Sequence, residues 1–102
     1  MLNQVVLVGR IAKEPILKEI EGKKIGVLNI SVPRNYKNPN GEYDTDFINI
    51  KLYGNVAEYT SEYCNVGDMV GIKGRVENNN ESVEIIAEKV TFLAQGKGKE
   101  VL

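Results

Sequence analysis

The sequence predicts an all-β domain: a five-stranded barrel with one short helix between its third and fourth strands. Three observations carry that expectation. Runs rich in β-branched and aliphatic residues recur along the chain, bounded by clusters of Gly, Asn and Pro. Only one segment, after the third such run, has a helical period. The chain has 102 residues, 42% of them hydrophobic and 26% charged, which suits one core.

The elements follow in order. Val5–Ile11 is a β-branched run and reads as the first strand. Glu14-Pro15 interrupts it, and Ile16–Ile20 resumes an extended pattern up to a turn at Glu21-Gly22-Lys23-Lys24. Ile25–Val32 is the second strand. The stretch Asn35–Tyr43 holds Asn38-Pro39-Asn40-Gly41 and reads as a loop. The third strand, Asp46–Tyr53, alternates cleanly. In the helix that follows, Asn55 suits an N-cap with Glu58 three residues on. Val56, Tyr59, Thr60, Tyr63 and Cys64 then form one buried stripe, which makes both tyrosines core candidates, and Gly67 offers a left-handed stop. Met69–Glu77 is the fourth strand, Asn78–Ser82 a tight hairpin and Val83–Leu93 the fifth strand. The expected division is a domain over 1–93 and a short, poorly ordered tail over 94–102. A helix placed between the third and fourth of five strands is the element order of a five-stranded OB-fold barrel.

Composition removes several classes of function. Thirteen Lys and Arg against fourteen Asp and Glu leave a net charge of −1, so no global basic field marks the chain. Histidine is absent and Cys64 is the single cysteine. A disulfide framework, a Cys/His zinc site and any His-dependent catalysis are thereby excluded. Asp44 and Asp46 share a strand parity, but no third carboxylate stands near enough to make a cation site. Cys64 reads as a small core residue. No catalytic residue, metal or cofactor is expected. With no apolar run of bilayer length and no basic N-terminal region, the expected compartment is the cytoplasm, without membrane contact.

The strand faces carry more information. On the third strand Ile48, Ile50 and Leu52 point one way, and Phe47, Asn49, Lys51 and Tyr53 point the other. Aromatic rings flanking a cation and an amide suit single-stranded nucleic acid, since bases stack on rings while Lys meets phosphate. The alternative is that the rings pack beneath a loop or a second subunit. The fourth strand puts Val70, Ile72 and Val76 on one parity and Lys73 and Arg75 on the other, and it neighbours the first strand with Arg10. The loop after the second strand interleaves Arg34, Tyr36, Lys37 and Tyr43, either a mobile backbone-tracking loop or plain turn filler. Charge is also uneven. Residues 1–51 hold eight basic and six acidic residues, and 52–102 hold five and eight. Val5–Ile11 is apolar at both parities, which points to a second chain against one face.

Several blocks resemble bacterial and phage single-stranded DNA-binding proteins, in family order and over nearly the whole chain. They are Met1-Leu2-Asn3-Gln4-Val5-Val6-Leu7-Val8-Gly9-Arg10, Asn29-Ile30-Ser31-Val32, Asp46-Phe47-Ile48-Asn49, Gly71-Ile72-Lys73-Gly74-Arg75-Val76 and Ala87-Glu88-Lys89-Val90-Thr91-Phe92-Leu93. The resemblance implies an OB-fold homotetramer, with dimers formed through the first strand, that coats single-stranded DNA during replication, recombination or repair. It implies stacking by Phe47, Tyr53 and Tyr36, with Arg10, Lys51, Lys73 and Arg75 at the family's basic positions. Two departures stand out. Many members carry an aromatic near the hairpin where this chain has Asn78-Asn79-Asn80-Glu81-Ser82, and full-length members have a long tail with an acidic tip that recruits partner enzymes, whereas this sequence stops at Lys99-Glu100-Val101-Leu102. The expectation is a truncated tail or a compact phage, plasmid or paralogous form, with tail-mediated partners in doubt. Competing readings are a dimeric primosome-type accessory protein, a protein–protein docking module and, least supported, a hydrolytic OB enzyme.

Overall fold

Strict two-residue alternation on the central strands forces one face inward, and the strands close around it. The computed structural model describes residues 1–96. Its elements are β1 (Val5–Ile11), β2 (Ile16–Ile20), β3 (Lys23–Lys37), β4 (Tyr43–Tyr53), α1 (Gly54–Tyr63), β5 (Met69–Asn79) and β6 (Ser82–Ala94). The extended pattern at Ile16–Ile20 is a strand of its own. β1 and β2 lie one after the other along the same edge of β3, so together they fill the place of the first barrel strand.

The strand order is β1-β5-β6-β4-β3-β2, with β1 also paired to β3. The barrel is thus two three-stranded antiparallel sheets, β1-β5-β6 and β2-β3-β4, joined at two narrow seams. At one, β4 and β6 run parallel through Ile50–Ile85 and Lys51–Ile86. At the other, β1 meets β3 through Arg10–Ser31 and Ile11–Ile30. Ile11, Leu28, Ile30, Ile50, Leu52, Val70, Ile72 and Val90 fill the interior. Ile50 and Leu52 are buried and Ile48 packs on the core, as the parity of the third predicted strand requires. Val76, on the core parity of β5, is exposed because the β5–β6 hairpin runs out beyond the barrel.

Helix α1 departs from the sequence expectation. Asn55 is not its N-cap. The chain turns at Gly54, with φ +59°, directly out of β4; Tyr53 takes the cap position without a side-chain bond, and Asn55 falls inside the first turn. Glu58 makes an ion pair with Lys24 at 3.0 Å rather than a capping box. The buried stripe is Ala57, Thr60 and Cys64, with Val56 and Tyr59 half-buried, and Tyr63 is 68% exposed. The cause is close packing over β3: a Cβ built on Gly26 would lie 3.3 Å from that of Ala57, so the smallest helix side chain faces the sheet. Tyr59 pins the helix to β6, its hydroxyl donating to the Val90 carbonyl at 3.1 Å and accepting from the Val90 N–H at 3.2 Å.

The helix ends at Cys64, and Gly67, with φ +93°, serves the following turn instead. Buried Asp68 organises that turn. Its carboxylate accepts from the N–H of Asn65 at 2.8 Å and of Gly96 at 2.9 Å, while its carbonyl accepts from Ile11 N–H at 2.9 Å. The segment expected to be a tail from Ala94 therefore begins inside β6 and is tied down at Gly96, and residues 97–102 lie outside the described residues. No helix among the described residues is long and apolar enough to cross a membrane.

Candidate nucleic-acid interface

The outer surface of β3 and β4 is built in rows of cross-strand partners: Ser31–Phe47, Asn29–Asn49, Val27–Lys51 and Ile25–Tyr53. Phe47 and Tyr53, 67% and 44% exposed, stand at its two ends. Asn29 Nδ2 donates to Asn49 Oδ1 at 2.8 Å, which ties the two central amides to each other. Beyond Lys51 the β5–β6 hairpin rises as a wall. Between the wall and the face lies a groove of about 300 Å³, lined by Val27, Asn49, Lys51, Ser82, Val83 and Glu84.

The strands on the far edge of β3 extend two of these rows. Arg10 of β1 is opposite Ser31, so Arg10, Ser31 and Phe47 form one row. Lys18 of β2 is opposite Ile25, which gives Lys18, Ile25 and Tyr53. Each end of the face thus has an aromatic ring and a cation in the same row. Arg10 also donates through Nη1 to the Gly67 carbonyl at 3.0 Å.

Arg34, Tyr36, Lys37 and Tyr43 do not sit on a mobile loop. β3 continues to Lys37 and β4 starts at Tyr43, so all four stand on a hairpin arm with a register shift between Pro33 and Lys37. The turn residues occupy only 38–42, where Asn38 Oδ1 accepts from the N–H groups of Asn40 and Glu42. Arg34 lies 5.9 Å from the Tyr36 ring centre and Lys37 5.8 Å from that of Tyr43. Arg34 also forks onto Asp46, with Nη2 to Oδ1 at 2.9 Å and Nε to Oδ2 at 3.1 Å. Through these hydrogen bonds the guanidinium holds Asp46 below the ordinary carboxylate range. Asp44 accepts from Asn38 at 3.1 Å. Among the described residues no group of three His, Cys, Asp or Glu side chains is placed to hold a metal.

Lys73 and Arg75 are not brought to this face. Lys73 lies in the row Val6–Lys73–Lys89 on the β1-β5-β6 sheet. Arg75 is held on the hairpin by Glu77 at 2.7 Å and Glu88 at 3.4 Å, and the hydrogen bond to Glu77 raises its pKa further. Lys51 is likewise engaged, by Glu84 at 3.2 Å. Asn29 is a member of the face that reading single strands does not select, the available signal being its parity, opposite to Leu28 and Ile30; Lys18 reads from sequence only as one of the basic residues around the first hairpin, with Lys23 and Lys24, and its row comes from the pairing.

A closed barrel with its helix between β4 and β5 and an open aromatic face on β3 and β4 defines an OB-fold binding domain. Residues 2–93 match the model of the single-strand binding protein family. The chain belongs to that family. It is 37% identical over 103 residues to single-stranded DNA-binding protein B of Bacillus subtilis, an alignment covering 91% of each chain. The wild-type single-stranded DNA-binding protein of Thermus aquaticus superposes with a TM-score of 0.78 at 25% identity, over 95% of this chain and 52% of the other, so this chain spans about half of that protein. The Plasmodium falciparum protein in complex with ssDNA gives 0.75 at 24% identity, over 91% and 96%.

Proposed function

We propose that this chain binds single-stranded DNA without regard to sequence and coats it during replication, recombination or repair. Bases stack on Phe47 and Tyr53, with Tyr36 and Tyr43 continuing the track along the β3–β4 arm. Arg10, Lys18, Lys51, Arg34 and Lys37 meet phosphates, and Asn49 offers hydrogen bonds to bases between the rings. Residues 1–93 form the binding domain, and Ala94 and Gly96 still belong to its fold, ending β6 and tying to Asp68. The protein acts by binding rather than catalysis, in the cytoplasm where such strands arise. The observation that carries this reading is the row of exposed groups on β4, with two rings flanking an amide and a cation on a barrel of this family.

Val6 and Val8 are exposed on the outer face of β1, beside Lys73 and Gly71. They support assembly through the first strand, as a dimer or a tetramer, which mass measurement in solution distinguishes. The binding test is a titration with oligo(dT), oligo(U) and duplex DNA at two salt concentrations. The chain has five tyrosines and no tryptophan, so binding should quench tyrosine emission. Oligo(dT) should bind far more tightly than duplex, with affinity falling as salt rises. No quenching and no mobility shift at low salt would refute the reading and favour a protein–protein docking module.

A further inference from the structure

The central cation of the candidate face does not stand free. Lys51 is the one basic residue on the outer side of β4, and its Nζ lies 3.2 Å from Glu84 Oε2 across the groove. The parallel register at Ile50–Ile85 and Lys51–Ile86 places Glu84 there. Its other oxygen, Oε1, accepts from Asn79 Nδ2 at 3.4 Å, so both oxygens are engaged. This carboxylate is also more sheltered than those of the other ion pairs among the described residues: the Glu84 side chain is 22% exposed, against 45% or more for the partners of Lys24, Arg34 and Arg75. A shielded pair is less screened by water and salt. A phosphate entering the groove therefore meets Lys51 already occupied and a fixed negative charge beside it.

We propose that Glu84 limits affinity: it is a resident anion on Lys51 that the phosphate of a bound strand must displace. This rests on the single-stranded DNA reading above. Exchange of one anion for another at Lys51 lowers the net gain from that contact, so the chain holds a strand less tightly than its basic residues alone would allow.

The test is anisotropy titration of labelled oligo(dT) over a range of salt, with wild type, Glu84→Gln, Lys51→Gln, the double variant, and Glu62→Gln, an exposed carboxylate on α1 beside Tyr63, as a charge-matched control. Glutamine keeps the bond to Asn79, and circular dichroism checks each fold. Glu84→Gln should bind about two- to fivefold more tightly at low salt, with its log–log salt dependence unchanged, because the same phosphate meets Lys51 in both proteins. Lys51→Gln should abolish that gain, and Glu62→Gln should reproduce none of it. Unchanged or weaker binding by Glu84→Gln would overturn the proposal, as would a gain that survives Lys51→Gln or appears equally in Glu62→Gln. In those cases wild-type binding to oligo(dT) leaves the function reading standing. If wild type does not bind at all, both are overturned.

Discussion

Removing the two rings of β4 together isolates the stacking component of binding. Phe47 and Tyr53 are six residues apart on an extended strand, about 20 Å, so they engage different nucleotides. At that separation their losses should add. Each base–aromatic stack is worth about 1–3 kcal/mol, so Phe47→Ala with Tyr53→Ala should lose about 2–6 kcal/mol, a weakening of roughly 30-fold to 20,000-fold. The folding cost should be small, because Phe47 is two-thirds exposed and Tyr53 nearly half exposed already. Anisotropy of labelled oligo(dT) at three salt concentrations reads the loss. The salt slope should not move, because neither ring neutralises a phosphate. Tyr63→Ala removes an equally exposed ring from α1 and should bind as wild type. A folded double variant within about threefold of wild type would refute the stacking assignment. A loss that came with a shallower salt slope would refute it too, by showing that the rings act through nearby cations.

Two further outcomes test the scaffold. Asp68→Ala strands the N–H groups of Asn65 and Gly96, and should cost about 1–3 kcal/mol, a fall in melting temperature of roughly 5–20 °C; Asp68→Asn, which keeps one acceptor, should lose less, and unchanged melting in both would contradict the brace. Burial first, and then the charge of Asp68, push the Cys64 thiol above the ordinary cysteine range. The native protein at pH 8 should therefore react with a thiol reagent at least about tenfold more slowly than the urea-unfolded chain. Because the pKa is raised on folding, this group's contribution to stability is present below the unfolded thiol's pKa and is lost as pH climbs through the folded one. Equal labelling rates would sink the assignment of Cys64 to the core.

Alternation made much of this molecule legible from sequence. The two faces of β4 were separable residue by residue, because each apolar position from Ile48 to Leu52 had a polar or aromatic neighbour on the opposite parity. What failed depended on tertiary contact. The helix turns its Ala57 side inward because of Gly26, thirty-one positions away in the chain, and no periodicity within α1 carries that information. The arm beyond Val32 looked like loop because Pro33 and the Asn-rich turn dominate its composition, yet the pairing of Lys37 with Tyr43 extends the ladder. The charges were the least legible part. Lys51 meets Glu84 only where β4 and β6 close the barrel, and Arg75 meets Glu88 only across the β5–β6 hairpin, so a count of basic residues overstated how many stand free to receive an anion.

The two-sheet construction of the ring bears on how it handles a flexible polymer. The floor and the wall of the groove belong to different sheets, and the β4–β6 seam between them is only two registered pairs long. A change in the gap between floor and wall would strain those two pairs and the Lys51–Glu84 bridge, and would leave the β3–β4 and β5–β6 ladders whole. On the single-stranded DNA reading proposed above, a strand of broad purines and narrower pyrimidines would press on the ring where it has the fewest backbone pairs.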